Sequence, residues 1–233
     1  QFNGIHEGLV QSWKDIFPKK GEIYFAGALE NNEDTGTLQY LASTAMEAGF
    51  STRVLDMQAL DLQNGRFFDP AGELVNRCFK LYPWEWMVDE SPDGCLAEME
   101  WLEPIWKLVM SNKAILATLY ELFPDSPYVL PCYLSRPRSG LFCKKPVFSR
   151  EGHNVSVVDI RNWEEHVRIA ETEGDYNTGA YVYQEYVEPT VYSGRYPVIG
   201  SWIIGGEAAG IGIRENRMEV TDNLSEFVPH IIG

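Results

Sequence analysis

The sequence has no run of apolar residues near the roughly 20 that a membrane-spanning helix needs. It also opens without the basic segment of a signal peptide, so we expect a cytoplasmic protein with no membrane partner. Basic residues are scarce as well, since 19 Lys and Arg stand against 34 Asp and Glu and the formal net charge is −15. A surface of this sign repels the phosphates of nucleic acid, which argues against that partner and suits a cationic substrate such as a polyamine.

Cysteine is rare, and its four positions form neither a CxxC pair nor a zinc-binding spacing. The histidines supply no metal-binding spacing either, so no metal site is expected within these residues. With 45% hydrophobic residues the chain can build a packed core without disulfides, and we predict reduced thiols. The chain begins at Gln1 without Met and stops after an apolar run, which leads us to expect a piece of a longer protein.

The first half carries the pattern of a strand, a helix and a second strand. Residues 22–27 and 51–56 alternate as strands, and an apolar face between them has helical spacing. We predict Asp34 or Thr35 as the N-cap of this helix and Gly49 as the residue that ends it. A βαβ unit of this length implies parallel pairing of the two strands.

The second half is richer in short strand-like runs, and Gly205-Gly206 between two of them predicts a hairpin turn. We expect helices at 5–16, 112–123 and 163–171. The fold class predicted is therefore α/β (α+β), with a βαβ-containing substrate domain at residues 1–110 and an ATP-grasp-like subdomain with a mainly antiparallel sheet at residues 111–233. The predicted strands of the second half are residues 141–148, 155–160, 180–187, 196–204 and 208–214.

One loop between two predicted strands has the chemistry of a phosphate-binding site. Lys145 closes the first strand, and the loop that follows contains Arg150 and Gly152. Gly152 lets backbone N–H groups approach a phosphate closely, Lys145 can reach it as a point charge, and Arg150 can bind a second anion. The spacing is not that of a Walker A motif. Taken alone, the same pattern is typical of an ordinary exposed hairpin.

Two later segments fit a nucleotide site beside this loop. Gln184 and Tyr186 lie on a strand that runs toward a turn at Pro189, an arrangement that can read a base edge with main-chain groups. Residues 209–215 contain two glycines at alternate strand positions, which indicates close packing, and Arg214 follows them. Arg214 could stabilise negative charge that develops in a transition state.

Several blocks of sequence, in this order, resemble the ATP-grasp part of the glutathionylspermidine synthase family, and the resemblance extends over essentially all 233 residues. It implies an ATP-dependent ligase that joins a carboxylate to an amine or thiol through an acyl phosphate, with ATP and Mg²⁺. The blocks are KLYPWEW (80–86), LEPIW (102–106), SNKAIL (111–116), KP (145–146), REGHN (150–154) and GIR (212–214).

The resemblance also implies roles for individual residues. Lys113 and Lys145 would bind ATP phosphates, and Arg150 and Gly152 would lie in the loop that closes over them. Arg214 would stabilise the acyl phosphate and the tetrahedral stage. The remaining implied residues are Gln184 and Tyr186 at the adenine hinge, and Glu33 and Asp34, in the loop after the first strand, near the peptide or amine substrate.

The sequence departs from the family pattern in two places. Leu81 and Trp86 stand where the family has glutathione-binding threonines, so glutathione is not the expected acid. The RxD and ExN segments that hold Mg²⁺ in the family have no equivalent here, and the nearest candidate, Asp222-Asn223, lacks the flanking pattern. We therefore expect the metal ligands outside this chain and no turnover by the chain alone.

Other interpretations of the same residues remain open at this point. The chain could be a nucleotide- or peptide-binding relative without catalysis, or a ligase that adds amino acids rather than a polyamine. Lys113 could be a surface lysine on an amphipathic helix, and Glu33 with Asp34 a solvated acidic loop. The aromatic block at residues 79–86 is more typical of a core than of a cation–π cage.

Overall fold

The computed structural model of the chain describes residues 3–174, 176, 179–221 and 225–231, and the backbone alone for 167–171. The chain forms two compact units. The first contains Gln1–Leu108 and Ser201–Gly210, and the second contains Val109–Gly200 and Ile211–Gly233. No helix of the described part is long and apolar enough to cross a membrane.

The first unit is built on a four-stranded sheet in which β1 (Glu22–Gly27) pairs in parallel with β2 (Ser51–Asp56) and β6 (Arg77–Leu81), and β6 pairs in parallel with β7 (Glu100–Leu102). The predicted βαβ unit is therefore confirmed, with β1 and β2 in register from Glu22 opposite Ser51 to Gly27 opposite Asp56. The elements are α1 (Ile5–Ile16), β1 (Glu22–Gly27), α2 (Asn32–Glu47), β2 (Ser51–Asp56), β3 (Asp61–Gln63), β4 (Arg66–Phe68), β5 (Leu74–Val75), β6 (Arg77–Leu81), α3 (Trp84–Glu90), α4 (Pro92–Cys95) and β7 (Glu100–Leu102).

The start of α2 differs from the prediction. Asn31, rather than Asp34 or Thr35, is the N-cap, and its side chain accepts a hydrogen bond from the Glu33 N–H at 2.9 Å. An Asn side chain satisfies a free N–H of the first turn as well as Asp or Thr does, and the helix can therefore begin earlier. Glu33 and Asp34 consequently lie in the first turn of α2, where a carboxylate is favoured by the helix dipole, and not in a loop.

The core of the first unit forms around the central strand β1, whose residues alternate between two buried clusters. Ile23 and Phe25 pack with α1 and α2 through side chains such as Trp13 and Leu38. On the other face, Tyr24 and Ala26 pack with a second cluster that contains Trp84. The alternation of a strand thus buries both faces of β1, as a central parallel strand requires.

The second unit contains a five-stranded antiparallel sheet, whose strands in spatial order are β11 (Glu164–Glu171), β10 (Ser156–Arg161), β9 (Gly140–Pro146), β12 (Tyr181–Glu185) and β8 (Cys132–Tyr133). Helix α6 (Ala114–Leu122) packs against β12 and β8. A further sheet has the order β13-β14-β15. The elements are α5 (Leu108–Ser111), α6 (Ala114–Leu122), β8 (Cys132–Tyr133), β9 (Gly140–Pro146), β10 (Ser156–Arg161), β11 (Glu164–Glu171), β12 (Tyr181–Glu185), β13 (Tyr196–Ile204), β14 (Glu207–Asn216) and β15 (Glu226–Val228).

The helix predicted at residues 163–171 is wrong, because these residues form strand β11. Asn162 and Trp163 both have positive φ, at 50° and 72°, and make a two-residue turn that returns the chain antiparallel to β10. Such a turn matches the twist of paired strands and leads into a hairpin rather than a helix. The Gly205-Gly206 turn, with φ of +62° and +88°, is of the same kind and was predicted.

Substitution of Leu38 by alanine tests the core of the first unit. Leu38 is fully buried on α2, so we expect Leu38→Ala to lower the free energy of unfolding by about 2–5 kcal/mol, through lost burial and the remaining cavity. The measurement is urea denaturation followed by tryptophan fluorescence. Met46→Ala on the same helix is the control, since Met46 is 61% exposed; equal losses in the two variants would contradict the packing described here.

Candidate functional site

Lys145 and Gln184 meet on one face of the five-stranded sheet. Lys145 lies opposite Val182 and Gln184 opposite Cys143, and residues paired across antiparallel strands share a face. The two side chains are therefore diagonal neighbours, and the Lys145 ammonium donates a hydrogen bond to Gln184 Oε1 at 2.7 Å. In the described part of the chain, no carboxylate lies within salt-bridge distance of this ammonium.

Two thiols complete this face around Gln184, which is paired with Cys143 on β9 and with Cys132 on β8. Burial raises the pKa of both thiols, and the nearby charge of Lys145 opposes the shift. Neutral thiols do not neutralise a cation. We call Lys145, Gln184, Cys143 and Cys132 the Lys145 cluster.

Lys144 has the opposite environment although it is the preceding residue. Its ammonium lies 2.9 Å from Glu165 Oε2, and the Tyr183 hydroxyl donates to Glu165 Oε1 at 2.9 Å. Burial alone would raise the pKa of Glu165, but the bonds from Lys144 and Tyr183 hold it below its ordinary value. One face of β9 thus carries a neutralised lysine, and the other carries a lysine for which the described residues supply no carboxylate partner.

The predicted hinge follows β12 directly. The N–H of Glu185 donates to the Pro131 carbonyl at 2.8 Å and that of Tyr186 to the Leu141 carbonyl at 3.0 Å. The N–H of Val187 is the next along the chain, and it donates to no protein acceptor within the described residues. The Tyr186 hydroxyl donates a hydrogen bond to the Glu219 carboxylate at 3.1 Å. Burial and this carboxylate raise the pKa of Tyr186 to about 12.

The glycine loop after β9 is held from two sides. Gly152 has φ of +72°, and a Cβ atom there would overlap the Thr221 carbonyl oxygen. The Thr172 hydroxyl donates to the Gly152 carbonyl, and the N–H of His153 donates to the Arg150 carbonyl at 2.9 Å, which forms a turn. Glycine is required here by both the backbone conformation and the close approach.

Lys113 is attached to the start of the same loop. Its N–H donates to the Val147 carbonyl at 2.8 Å, and its ammonium donates to the Ser149 hydroxyl at 3.0 Å. Lys113 is therefore not a solvated surface lysine of α6, which it precedes as the N-cap residue. Its ammonium ties the base of α6 to the segment just before Arg150.

Arg214 lies on β14 opposite Phe227, and its guanidinium carbon is 5.8 Å from the Phe227 ring centroid. No hydrogen bond among the described residues joins Arg214 to the Lys145 cluster. The segment after β14 does reach the loop and hinge, through Thr221 at Gly152 and Glu219 at Tyr186. Of the nine predicted site residues, the seven predicted for nucleotide binding or catalysis lie in the second unit, while Glu33 and Asp34 lie in the first.

Lys80 is a feature of the first unit to which the sequence assigned no role of its own. It lies in β6, one residue before the end of the strand, and is buried, with 4% of its surface exposed. Its ammonium lies 3.9 Å from the Trp84 ring centroid and donates to the Tyr82 carbonyl at 2.8 Å. Burial lowers its pKa to about 8, although Glu103 and Glu85 oppose the shift. A lysine inside a strand gives no sign of burial in the sequence; only the aromatic residues that follow could have indicated it.

Metal binding is not supported by the described residues, in which no group of three His, Cys, Asp or Glu side chains is arranged to hold an ion. The four cysteines are free thiols. Asp222 and Asn223, considered from the sequence, lie outside the described residues.

The parallel βαβ sheet of the first unit and the antiparallel sheets of the second define a mixed α/β protein. Its fold is similar to that of a Methylobacillus flagellatus protein provisionally named a gamma-glutamylcysteine synthetase, with a TM-score of 0.58 over 97% of this chain and 72% of that one. The two are 8% identical, so the likeness concerns the fold alone.

The sequence identifies the family. Residues 1–233 match the family described as Glutathionylspermidine synthase preATP-grasp, and the chain belongs to it. It is 35% identical to a Haemophilus influenzae protein provisionally named an acid–amine ligase, over 99% of this chain and 62% of that protein. It is 26% identical to the bifunctional glutathionylspermidine synthetase/amidase of Escherichia coli, over 99% of this chain and 42% of that protein. It is 36% identical to the trypanothione synthetase of Crithidia fasciculata, over 54% of this chain and 19% of that protein. The chain thus spans less than two thirds of these relatives.

Replacement of Gly152 by alanine tests how the loop is held. Positive φ alone costs about 1–2 kcal/mol for a residue with a Cβ. We expect Gly152→Ala to lose at least about 1 kcal/mol more than that, because the backbone at Thr221 must move. Gly194→Ala is the control, since Gly194 has φ of +76° but open space around it. The measurement is the free energy of unfolding of both variants. Equal losses of stability in the two variants would refute the contact between Gly152 and Thr221.

The burial of Lys80 predicts a pH dependence of stability. Between pH 8 and the ordinary lysine pKa of 10.5, the unfolded chain holds a proton that the folded chain has released. Stability relative to a Lys80→Met variant should therefore rise through this window, by on the order of 3 kcal/mol, and stay constant below it. Urea denaturation of both proteins at pH 7, 8, 9 and 10 measures the difference. A difference independent of pH would show that Lys80 is not desolvated.

Proposed function

We propose that the chain is the substrate- and nucleotide-binding part of an ATP-dependent ligase that forms an amide between a carboxylate and an amine. The proposal is supported by the family and by relatives named as ligases or synthetases of this kind. Residues 1–110 would serve the substrates and residues 111–233 the nucleotide.

One observation carries the nucleotide part of the proposal, namely the contrast between Lys144 and Lys145. Lys144 is neutralised by Glu165, while Lys145 has an amide and two thiols beside it. A half-buried ammonium without a carboxylate is costly unless an anion joins it. Phosphate oxygens of ATP would supply that charge, and Gln184 holds the ammonium in position by its hydrogen bond.

The reaction proposed has two steps. A carboxylate oxygen of the acid forms a bond to the γ-phosphorus of ATP as ADP leaves, which gives an acyl phosphate. The amine nitrogen then forms a bond to the carbonyl carbon, loses a proton and displaces phosphate. Charge develops on oxygen in both steps, so the protein's contribution is positive charge held in place and the exclusion of water.

The described contacts suggest how individual residues would act. The N–H of Val187 would donate to the base edge, since those of Glu185 and Tyr186 are already used. Lys113 would fix the start of the loop through Ser149, so that Gly152 and Arg150 can approach the phosphates. Arg214 would act on the reacting groups from β14, on the strand whose extension packs against the loop.

Magnesium is the usual companion of ATP, but no described cluster of carboxylates fits it. We propose that its ligands belong to a part of the protein outside residues 1–233 and that the chain alone does not turn over ATP. No step above depends on a metal ligand from this chain.

Two single variants, in which one or the other of the adjacent lysines is replaced by alanine, test the proposal. We expect Lys145→Ala to weaken ATP binding by the chain at least about tenfold, because a charged hydrogen-bond donor is lost, and to abolish ATP turnover by the intact protein. Isothermal titration with ATP and phosphate release measure the two effects. Lys144→Ala is the control: it removes the same charge from the other face and should leave ATP binding unchanged.

Equal ATP affinity in the two variants would show that the phosphate assignment is wrong. Phosphate release by the intact protein should require a carboxylate and an amine together. Release without either substrate, or ATP binding without any release, would instead favour a nucleotide-binding protein that is not a ligase.

A further inference from the structure

The first unit contains a cavity of about 760 Å³ between α1, α2 and the tip of the β13–β14 hairpin. Large apolar side chains around it remain unusually exposed: Ile16 by 47%, Tyr40 by 44%, Trp202 by 48% and Ile203 by 61%. Single exposed apolar side chains are ordinary, but several around one concave surface mark a binding site.

The hydroxyl group of Tyr40 already has a hydrogen-bond partner within the protein. Its hydroxyl lies 3.1 Å from His6 Nδ1, and Nε2 of the same imidazole lies 3.0 Å from Glu47. Tyr40 is thereby held in place, and what it adds to the cavity is chiefly apolar and aromatic surface. The other aromatic residues that line the cavity are Trp13, Phe79 and Trp202.

Glu33 is the acidic residue of the cavity lining. It lies in the first turn of α2. No cation of the described chain lies within salt-bridge distance of its carboxylate. A lone carboxylate beside apolar and aromatic walls is complementary to a cation with a hydrocarbon body.

We propose that this cavity binds a primary amine with a single positive charge and an apolar body, its ammonium at Glu33 and its hydrocarbon part against Tyr40 and Trp202. A polyamine fits less well, because its further charges would lose water against apolar walls without a carboxylate partner. The assignment of this amine as the acceptor rests on the proposed ligase function, whereas its binding does not.

The test is calorimetric titration of the chain, without ATP, with straight-chain alkylammonium ions from butyl to octyl. Affinity should rise about threefold to fourfold for each added methylene until the cavity is filled. Hexylammonium should bind more tightly than neutral 1-hexanol and more tightly than spermidine. Affinity independent of chain length, or tighter binding of spermidine, would overturn the proposal.

Two carboxylates three residues apart provide matched variants. Glu33→Gln should weaken hexylammonium binding about fivefold and leave 1-hexanol unchanged, since only the charge is removed. Glu30→Gln removes a charge from an exposed residue outside the lining and should change neither ligand. The same loss in both variants would show a general charge effect and would refute the role of Glu33.

A separate measurement distinguishes this proposal from the ligase function. Phosphate release by the intact protein with a carboxylate and either hexylamine or spermidine reports the acceptor. Release with spermidine alone, combined with no alkylammonium binding, overturns the cavity assignment and leaves the ligase. Alkylammonium binding without phosphate release supports the cavity and removes the acceptor role.

Discussion

The alternation of side chains along β9 sends two consecutive lysines to opposite faces of one antiparallel sheet. On one face the Glu165 carboxylate accepts from Lys144 and Tyr183 and also pairs with Arg136 at 3.3 Å, so this polar group is satisfied internally. On the other face the pairing of β12 with both β9 and β8 places Lys145 beside an amide and two thiols. Register therefore decides which lysine is structural, and a slip of one residue would exchange their roles.

The nucleotide part of the site also depends on the segment that follows β14. Thr221 leaves room only for a glycine at position 152, and Glu219 accepts from the Tyr186 hydroxyl. The loop and the hinge are thus fixed by the same few residues, although they are more than thirty positions apart in sequence. Their geometry is coupled through this segment, which makes the loop a positioned element rather than an independent hairpin.

Periodicity and turn chemistry predicted most elements of the fold from the sequence. The bounds of α1, β1 and β2 coincide with the predicted 5–16, 22–27 and 51–56, because apolar spacing and flanking glycines agree there. The helix predicted at 163–171 failed because Asn162 and Trp163 adopt positive φ, which a Trp rarely does.

The site was less accessible to sequence reasoning than the fold. Local sequence placed Lys145 at a strand end and Gln184 on another strand, but their 2.7 Å contact depends on a register set by tertiary pairing. The anchoring of Lys113 on Ser149 and the burial of Lys80 likewise arise from residues distant in sequence or from packing, which no local pattern encodes. Residue types could be predicted, and their partners could not.

Net charge is a poor guide to the local chemistry of this protein. The excess of carboxylates suits a polycation as ligand. Near the parallel sheet, however, several of these carboxylates form salt bridges within the protein, since Arg53 alone pairs with Glu22, Asp69 and Glu73. Exposed pairs of this kind contribute little to stability, but they neutralise the surface where they lie. The cavity of the first unit has one carboxylate among apolar walls, so desolvation, which grows with each added charge on a ligand, dominates there. For the amine proposed at that site, selectivity would follow the ratio of hydrocarbon to charge in the ligand, whereas the overall charge of −15 would act on the rate of encounter.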